Sequence, residues 1–482
     1  MEMKYTKRIV LASFIWKLME RSGVQGIQFI VQLVLARLLL PEDFGVIAIV
    51  TVFISIANVF VQSGLNTALI QKKEADDRDF SSVLYISLLI SGFLYIVIFF
   101  LARPISDFYQ EPQLIPILRI LSITLFFGAF NSVQNAYVAR HMKFKSLFFS
   151  SLGAVIISGT TGIIAAFLGL GVWALVLQQL INQLVISTNL WFTVKWRPKL
   201  YFSVERVKSL FSFGWKLLAS NLIHVLYMNL RTLVIGKVYT PSALGFYNRG
   251  EAFPKIIVEN IDGSIQSVML PTFSAYQDKL DRLKSMVRRT VVTSSFFVFP
   301  AMVGLAVIAE PLIKIVLTDK WLDAVPFLQI FCLGYSFLPI QNVNLQAISA
   351  MGRSDITLKL QIIKKACGLI ILVITVPLGV HAIAIGAILS AFVSMLLNIQ
   401  PNRKLLNYGF SEQIKDVSPA LFISILMGAI VYFLNFLDLM VWVKLIVQII
   451  SGVVIYIGLA KLFKIESLEY FFSIIKGIKN KI

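Results

Sequence analysis

Charged residues and cysteines are scarce in this sequence. Only 14% of its 482 residues are charged, whereas a soluble domain usually contains about a quarter. The two cysteines, Cys332 and Cys367, both lie in apolar stretches, which excludes a disulfide framework and a cysteine-based metal site. The longest polar gap, 195–212, is too short to bury a core of its own. The composition therefore excludes a series of soluble domains.

Long apolar runs are present instead, and they recur along nearly the whole chain. Hydrophobic residues make up 57% of it, and the mean hydropathy is +0.81. A run of about 20 residues crosses a hydrocarbon core of about 30 Å. The runs predict an all-α integral membrane protein with about 14 transmembrane helices. The predicted spans are 13–40, 44–70, 81–101, 114–138, 147–168, 172–194, 213–238, 244–272, 290–310, 323–350, 359–377, 380–400, 417–436 and 441–460.

Basic residues outnumber acidic ones by 44 to 25, and their distribution predicts the orientation. When the segments between spans are sorted alternately, 31 Lys and Arg lie on one side and five on the other. Basic residues collect in cytoplasmic loops because they resist translocation. We therefore predict an even number of spans with both termini in the cytoplasm, and a tail, 461–482, along the inner membrane surface. This explains the net charge without a nucleic-acid partner.

An internal repeat divides the chain. Several short patterns recur in the same order about 200 residues later. The unit contains six predicted helices, so both copies share one orientation, as in parallel-repeat transporters. We predict two six-helix bundles, 1–196 and 197–402, followed by two further helices and a tail in 403–482. The recurring patterns are Trp16-Lys17-Leu18 with Trp215-Lys216-Leu217, Pro41 and Gly45 with Pro241 and Gly245, and Gly171-Val172-Trp173-Ala174 with Gly379-Val380-His381-Ala382.

Polar residues at helical spacing mark four of the predicted spans. Charges at membrane depth are costly unless they pair or meet water, so these faces predict a hydrated cavity lined by the first, second, seventh and eighth spans. The first span contributes Lys17, Arg21, Gln25, Gln28 and Gln32, and the second Asn58 and Gln62. The seventh contributes Lys216, His224, Tyr227 and Arg231, each 199 residues after its counterpart in the first, and the eighth contributes Lys255 beside Glu251, Glu259 and Asp262.

Two structural alternatives compete with the cavity interpretation. Glu251, Lys255 and Glu259 have the spacing of ion pairs within one helix. Lys17 and Lys216 lie near the cytoplasmic ends of their spans, where a long basic side chain can reach the headgroups instead. These residues therefore either line a cavity or hold the helices in place.

The residue types in these faces indicate a ligand that is part phosphate and part sugar. Arg and Lys bind phosphate oxygens, while amides and aromatic rings suit hydroxyls and sugar faces. The acids Glu251, Glu259 and Asp262 are instead candidates for coupling to protons or sodium ions. The sequence contains neither a phosphate-binding P-loop nor an H-E-x-x-H motif, and it has no large extramembrane loop. We therefore predict a transporter without a cofactor rather than an enzyme.

Several motifs resemble those of the Wzx-type polysaccharide flippases, in the multidrug/oligosaccharidyl-lipid/polysaccharide exporter superfamily. The resemblance covers essentially the whole chain. The motifs are Gly26-Ile27-Gln28-Phe29-Ile30, Leu35-Ala36-Arg37 through Pro41-Glu42-Asp43-Phe44-Gly45, Ala68-Leu69-Ile70-Gln71-Lys72-Lys73, Gly171-Val172-Trp173-Ala174-Leu175, Leu244-Gly245-Phe246-Tyr247-Asn248-Arg249 and Gly352-Arg353-Ser354-Asp355.

The resemblance implies alternating access by two facing bundles. It implies a substrate of undecaprenyl-pyrophosphate-linked oligosaccharide, as in O-antigen, lipopolysaccharide or exopolysaccharide synthesis, moved from the inner to the outer leaflet of a bacterial inner membrane. Arg21 corresponds to a cavity arginine of related lipid II flippases, and we expect Arg21, Lys216 and Arg231 to contact the pyrophosphate. The partners implied are membrane lipids and a polysaccharide polymerase or assembly proteins. The acids of the eighth span depart from the family pattern.

Other functions compete with flipping. A cation-coupled drug antiporter of the same superfamily predicts acids rather than bases in the cavity. A membrane scaffold for polysaccharide assembly does not require matched polar faces in both repeats. A lipid scramblase without sugar selectivity remains open on the sequence alone.

Overall fold

The computed structural model of the protein describes residues 16–17, 19–72, 74–465 and 467–468. Inside the helices, the side chains of Arg21, Ser22, Phe213, Ser267 and Val268 are not described. Within the described ranges the chain is almost entirely helical and contains no β-strand. The predicted all-α class is thus confirmed.

Eighteen α-helices follow one another in the described part of the chain. The first nine are α1 (Val24–Leu38), α2 (Pro41–Gln62), α3 (Leu65–Gln71), α4 (Asp77–Tyr109), α5 (Leu114–Leu121), α6 (Thr124–Arg140), α7 (Phe144–Phe167), α8 (Val172–Thr193) and α9 (Val204–Val238). The others are α10 (Pro241–Ser274), α11 (Leu280–Val307), α12 (Ala309–Val316), α13 (Val325–Ser336), α14 (Leu338–Ala350), α15 (Ser354–Thr375), α16 (Val380–Leu405), α17 (Phe410–Phe433) and α18 (Val441–Leu462). A π-helical turn, Met19–Gly23, leads into α1.

Eleven helical segments of the described chain are long and apolar enough to cross a membrane. Some combine two successive helices, such as α2 with α3. This confirms a multi-pass membrane protein. The predicted spans 13–40, 172–194 and 244–272 coincide with α1, α8 and α10, which are not among the eleven: α1 has only 15 residues, and the other two are rich in polar side chains. The total of 14 spans stays a prediction.

Local sequence explains where several helices begin. Pro41 lies in the first turn of α2, where its missing N–H costs nothing, and the Asp43 side chain accepts a hydrogen bond from the Leu40 backbone N–H at 2.9 Å. At the start of α4, the Asp76 side chain accepts from the Asp79 backbone N–H at 2.9 Å, and the Asp79 side chain accepts from the Asp76 N–H at 3.1 Å. This reciprocal pair satisfies two backbone donors that the helix itself leaves free.

The chain divides into two compact units, Met1–Gly245 and Phe246–Ile482. In the first, buried apolar side chains of α3, α4, α6 and the start of α9 form a common core. In the second, α11, α14, α16 and α17 share a core, which Tyr456 and Ala460 of α18 complete. Each unit thus has an apolar core of its own, formed by several of its helices.

The compact units differ from the predicted limits 1–196, 197–402 and 403–482, which stay a prediction. The boundary falls after α9 because this helix packs on the helices before it. Its Gly214 lies against Gly64, and the Leu233 carbonyl accepts a hydrogen bond from the Tyr109 hydroxyl at 3.4 Å. The predicted inner-surface tail, 461–482, lies mostly outside the described residues.

Candidate functional site

The polar face of α1 opens into a pocket of about 350 Å³ within the first unit. Three of the predicted cavity residues, Lys17, Gln25 and Gln28, line it. The remaining lining residues, from the π-helical turn, α1, α7 and α8, are Glu20, Val24, Ser151, Val155, Asn182 and Ile186. We call this cavity the α1 pocket. That its residues bind a substrate stays a prediction.

The α1 pocket contains both ionic and neutral polar groups. The Lys17 ammonium forms an ion pair with Glu20 at 2.7 Å, and it also lies 5.8 Å from the centre of the Phe144 ring. The side chains of Gln25 and Gln28 are exposed. Amides both donate and accept hydrogen bonds. The pocket can therefore satisfy hydroxyl groups, whose oxygens also donate and accept.

Hydrogen bonds donated by amide side chains connect the helices around the pocket. Gln32, the next predicted cavity residue on α1, donates to Gln178 of α8 at 3.1 Å. Asn182 donates from its side-chain amide to the Ser158 hydroxyl of α7 at 3.1 Å. Gln32 thus connects α1 to α8 and does not line the α1 pocket. Its hydrogen bond helps to hold α1 in place, and with it Gln25 and Gln28, which line the α1 pocket.

Two residues of the pocket were not among the predicted site residues. Ser151 of α7 and Asn182 of α8 line it together with the α1 side chains. A sequence pattern could have identified α8, since Gln178, Asn182 and Asn189 recur at intervals of four and seven residues in an otherwise apolar span. The predicted cavity was assigned instead to the spans that match between the two repeats.

The predicted residues of α2 do not share the α1 pocket. The Asn58 side-chain oxygen lies close to Gly128 of α6, so this amide fills the space that a glycine leaves between two helices. Gln62 is exposed at the last turn of α2. Both residues stay candidates for substrate contact. The side chain of Arg21 lies outside the described residues.

The predicted polar face of α9 is open along most of its length. Lys216 and His224 are exposed, while Tyr227 and Arg231 are half-buried. Near the end of the helix the Lys237 ammonium contacts the Phe108 carbonyl of α4 and lies 4.3 Å from the centre of the Phe108 ring. That these side chains line one cavity together with the polar side chains of the first predicted span stays a prediction.

The acids of α10 do not form the intrahelical ion pairs that their spacing permits. In the described part of the chain, no ion pair connects Lys255 to Glu251 or Glu259. Glu251 instead accepts a hydrogen bond from the Tyr335 hydroxyl of α13 at 3.0 Å. Asp262 is buried, and it accepts from Asn342 of α14 at 2.6 Å. These hydrogen bonds join α10 to α13 and α14, so the acids of α10 form contacts with neighbouring helices.

The second unit contains a pocket of the opposite character. It has a volume of about 540 Å³ and lies among α11, α17 and α18. Its lining is apolar apart from Gln448 and Tyr456, and Gly452 contributes no side chain to it. We call this cavity the apolar pocket. It suits a hydrocarbon chain, whose contacts need no hydrogen-bonding partners.

Comparison with known proteins identifies the family of this chain. A family model described as "Polysaccharide biosynthesis protein" matches residues 34–326, which is more than half of the chain. The chain belongs to this family. The sequence resemblance to polysaccharide flippases is therefore confirmed at the family level.

Named relatives of this polysaccharide biosynthesis protein family align over most of the chain. The succinoglycan biosynthesis transport protein ExoT of Rhizobium meliloti is 24% identical over 346 residues, covering 71% of this chain and 69% of the relative. The lipopolysaccharide biosynthesis protein WzxC of Escherichia coli is 24% identical over 389 residues, covering 80% and 78%. The teichuronic acid biosynthesis protein TuaB of Bacillus subtilis is 26% identical over 306 residues, covering 62% of each.

Solved structures of transporters share the fold of this chain. The lipid II flippase MurJ, in an inward closed conformation, matches with a TM-score of 0.76 and 19% identity, covering 93% of this chain and 98% of that one. An inward-facing multidrug resistance MATE family transporter of the MOP superfamily matches with a TM-score of 0.61 and 15% identity, covering 79% and 94%. At these identities the likeness shows the fold alone.

Proposed function

We propose that this protein is a transporter that moves undecaprenyl-pyrophosphate-linked oligosaccharides from the inner to the outer leaflet of the bacterial cytoplasmic membrane. The observation that best supports the proposal is the α1 pocket, where Gln25, Gln28 and Asn182 surround a space within a membrane-spanning unit. Amide side chains at membrane depth are costly unless water or a polar ligand meets them. A sugar supplies the hydroxyl groups that these amides need.

Family membership and the apolar pocket support the lipid part of the substrate. The relatives include proteins named for transport or biosynthesis of succinoglycan and lipopolysaccharide. The apolar pocket of about 540 Å³ offers a surface on which an isoprenoid chain can lie. The excess of basic residues in alternate loops supports cytoplasmic termini. Arg21, Lys216 and Arg231 stay the proposed contacts of the pyrophosphate.

The deciding experiment locates the lipid-linked oligosaccharide in cells that lack this gene. We expect it to accumulate on the cytoplasmic leaflet, and we expect the intact protein to relieve the accumulation. The double variant Gln25→Leu with Gln28→Leu should reduce export about thirtyfold, because each of the two lost hydrogen bonds weakens binding by about 1 kcal/mol. Both side chains are exposed, so the variant should insert and fold normally.

A matched control is Thr188→Val on α8. This hydroxyl is exposed and bonds only to the Leu184 carbonyl of its own helix among the described residues. It lies outside the lining of the α1 pocket. Export that falls equally in the control and in the glutamine double variant would contradict a specific role for the pocket. Cells without the gene that export normally would contradict the proposed function itself.

Filling the apolar pocket should also lower export. Gly452→Leu directs a side chain toward Val431 and Met427, whose nearest atoms lie 3.6 and 3.9 Å from the point that a Cβ atom on Gly452 would occupy. We expect a several-fold loss of export of the lipid-linked substrate. Gly458→Leu, on the same helix, is the control because no described atom lies within 4 Å of its Cβ position. Equal export by both variants would argue against a lipid chain in this pocket.

A cation-coupled antiporter for drugs or other small molecules is the second candidate. The buried Asp262 favours it, because acids attract cationic cargo. Cells without the gene should then keep normal polysaccharide export and become sensitive to cationic drugs. The two functions thus differ in which compound accumulates.

A further inference from the structure

Another pocket of the second unit lies where α16 ends and α17 begins. It has a volume of about 640 Å³ and shares no lining residue with the α1 pocket or the apolar pocket. One wall combines Leu396, Leu397 and Ile399 of α16 with Arg403 in the last turn of the same helix. The turn after α16 and the first residues of α17 complete the lining. We call this cavity the α16–α17 pocket.

The polarity of the pocket wall changes along α16. Leu396, Leu397 and Ile399 lie within the predicted span 380–400, and Arg403 lies just beyond its end. The seven residues from the first leucine to the arginine correspond to about 10 Å of helix. The headgroup layer on each side of a hydrocarbon core is about 5–8 Å thick. A molecule in this pocket can therefore place an apolar part in the core and a polar part among the headgroups, at the end predicted to be cytoplasmic.

Arg403 gives the polar end of the pocket its positive charge. Its side chain is exposed, and in the described part of the chain it forms no ion pair. Glu412, the acid that lines the pocket, pairs with Lys284 of α11 at 3.0 Å. This ion pair is neutral, so the charge of Arg403 remains. Gln400 and Ser411 are exposed in the lining and can donate further hydrogen bonds.

The turn between α16 and α17 is held in place by interactions with neighbouring helices. The Lys284 ammonium donates to the Asn407 carbonyl at 2.6 Å, and Asn407 itself adopts a left-handed conformation with φ of 48°. The Gln413 amide donates to the Tyr408 carbonyl at 3.2 Å and to the Asn344 side chain of α14 at 2.9 Å. A ligand thus finds this side of the pocket already formed, which lowers the entropy cost of binding.

We propose that the α16–α17 pocket binds one anionic phospholipid of the cytoplasmic leaflet. The guanidinium of Arg403 contacts the phosphate, which it can bind through two N–H groups, and an acyl chain lies along Leu396 and Leu397. A phospholipid joins a phosphate to a hydrocarbon chain, as the wall of the pocket requires. A single unpaired cation suits one phosphate ester and favours a headgroup with a net negative charge. The inference does not depend on which cargo the protein transports.

The end of the chain is the other candidate occupant of the pocket. Leu468, the last residue that the structure describes, shares a core with Leu406 and Tyr408, on either side of Asn407 in the pocket lining. Residues 470–482 contain three lysines and neither Asp nor Glu. Their side-chain charges therefore do not complement Arg403, whereas a phosphate does.

The test counts the lipids that the purified full chain retains in detergent, by native mass spectrometry. We expect one phosphatidylglycerol to stay bound. Phosphatidylcholine with the same acyl chains should bind about fivefold more weakly, because its choline cancels the negative charge. Arg403→Gln should weaken phosphatidylglycerol binding at least about tenfold, since a hydrogen bond between charged groups is lost. Lys404→Gln is the matched control: the next residue is also exposed but does not line the pocket, so this variant should keep the preference.

Thermal unfolding of the same samples separates the possible occupants. Phosphatidylglycerol should raise the unfolding temperature of the wild type and of Lys404→Gln by a few degrees, and that of Arg403→Gln much less. An equal rise with glycerol phosphate, which has no acyl chain, would overturn the phospholipid in favour of a free phosphate ester. Equal weakening in the two variants would overturn it in favour of general attraction to the basic surface. Without lipid the three proteins should unfold at one temperature, and a lower value for Arg403→Gln alone would mean that the pocket holds part of the chain instead.

Discussion

Gly45→Ala is expected to abolish export, because α2 and α10 meet there backbone to backbone. A Cβ atom on Gly45 would lie 1.8 Å from the Pro241 carbonyl oxygen. The contact is reciprocal, since a Cβ atom on Gly245 would lie 2.1 Å from the Pro41 carbonyl oxygen. No side-chain rotation can relieve either clash. Overpacking that side chains can absorb costs about 1–3 kcal/mol, so we expect at least about 3 kcal/mol here.

The measurement compares export and thermal unfolding of the purified variant in detergent. A cost of about 3 kcal/mol corresponds to more than a hundredfold shift in the population that keeps this contact. Gly458→Ala is the control: its Cβ position is open, and alanine favours a helix over glycine by about 1 kcal/mol, so its stability should stay equal or rise slightly. Wild-type export and stability in Gly45→Ala would contradict the close approach of the two helices.

The sequence predicts part of this contact. Pro41 with Gly45 and Pro241 with Gly245 stand 200 residues apart in the same pattern, which indicates the repeat. A proline in the first turn also predicts where each helix begins. The pattern does not say that each glycine packs on the other helix's proline, because helix spacing within the membrane depends on how distant segments pack. That contact became visible only in three dimensions.

The candidate site was predictable to a similar degree. The helical period places Lys17, Gln25 and Gln28 on one face of the first predicted span, and these residues do line one pocket. Periodicity within one helix cannot identify the helices that complete a pocket, so Asn182 of α8 was missed. Spacing likewise permitted an ion pair between Glu251 and Lys255, whereas the structure shows Glu251 accepting a hydrogen bond from Tyr335. Local spacing predicts which polar side chains share one face of a helix, whereas the packing of the helices determines which side chains they contact.

Asp79→Ala should release the start of α9 from α4. Asp79 is fully buried, and it pairs with Lys72 at 2.8 Å and with Arg206 of α9 at 3.0 Å. Its removal leaves two basic groups side by side without their shared acceptor. Loss of one partner of a buried ion pair costs about 3–5 kcal/mol. The basic side chains are about a third exposed, and water screens part of their repulsion, so we expect about 2–3 kcal/mol.

The control for this variant is Asp77→Ala, two residues earlier on the same helix. Asp77 also pairs with a basic residue, Lys199 at 2.9 Å, but both side chains are about half exposed or more. An exposed ion pair contributes less than about 1 kcal/mol. Thermal unfolding in detergent measures the difference, and trypsin cleavage after Lys199 should become faster in Asp79→Ala. Equal unfolding temperatures for the two variants would show that the start of α9 is held mainly by apolar contacts.

Asp76 should preserve part of this attachment when Asp79 is replaced. Its carboxylate lies 2.6 Å from the same Arg206 guanidinium. Partial burial acts to raise the pKa of Asp76, but the Asp79 backbone N–H and the charge of Arg206 outweigh it and hold this pKa below its ordinary value. A carboxyl group whose pKa falls on folding stabilises the protein at neutral pH and loses that contribution only in acid. The double variant Asp76→Ala with Asp79→Ala should therefore unfold at a lower temperature than Asp79→Ala at pH 7. In acid the Asp76 carboxyl group of the single variant is protonated and no longer attracts Arg206, so the unfolding temperatures of the two variants should converge.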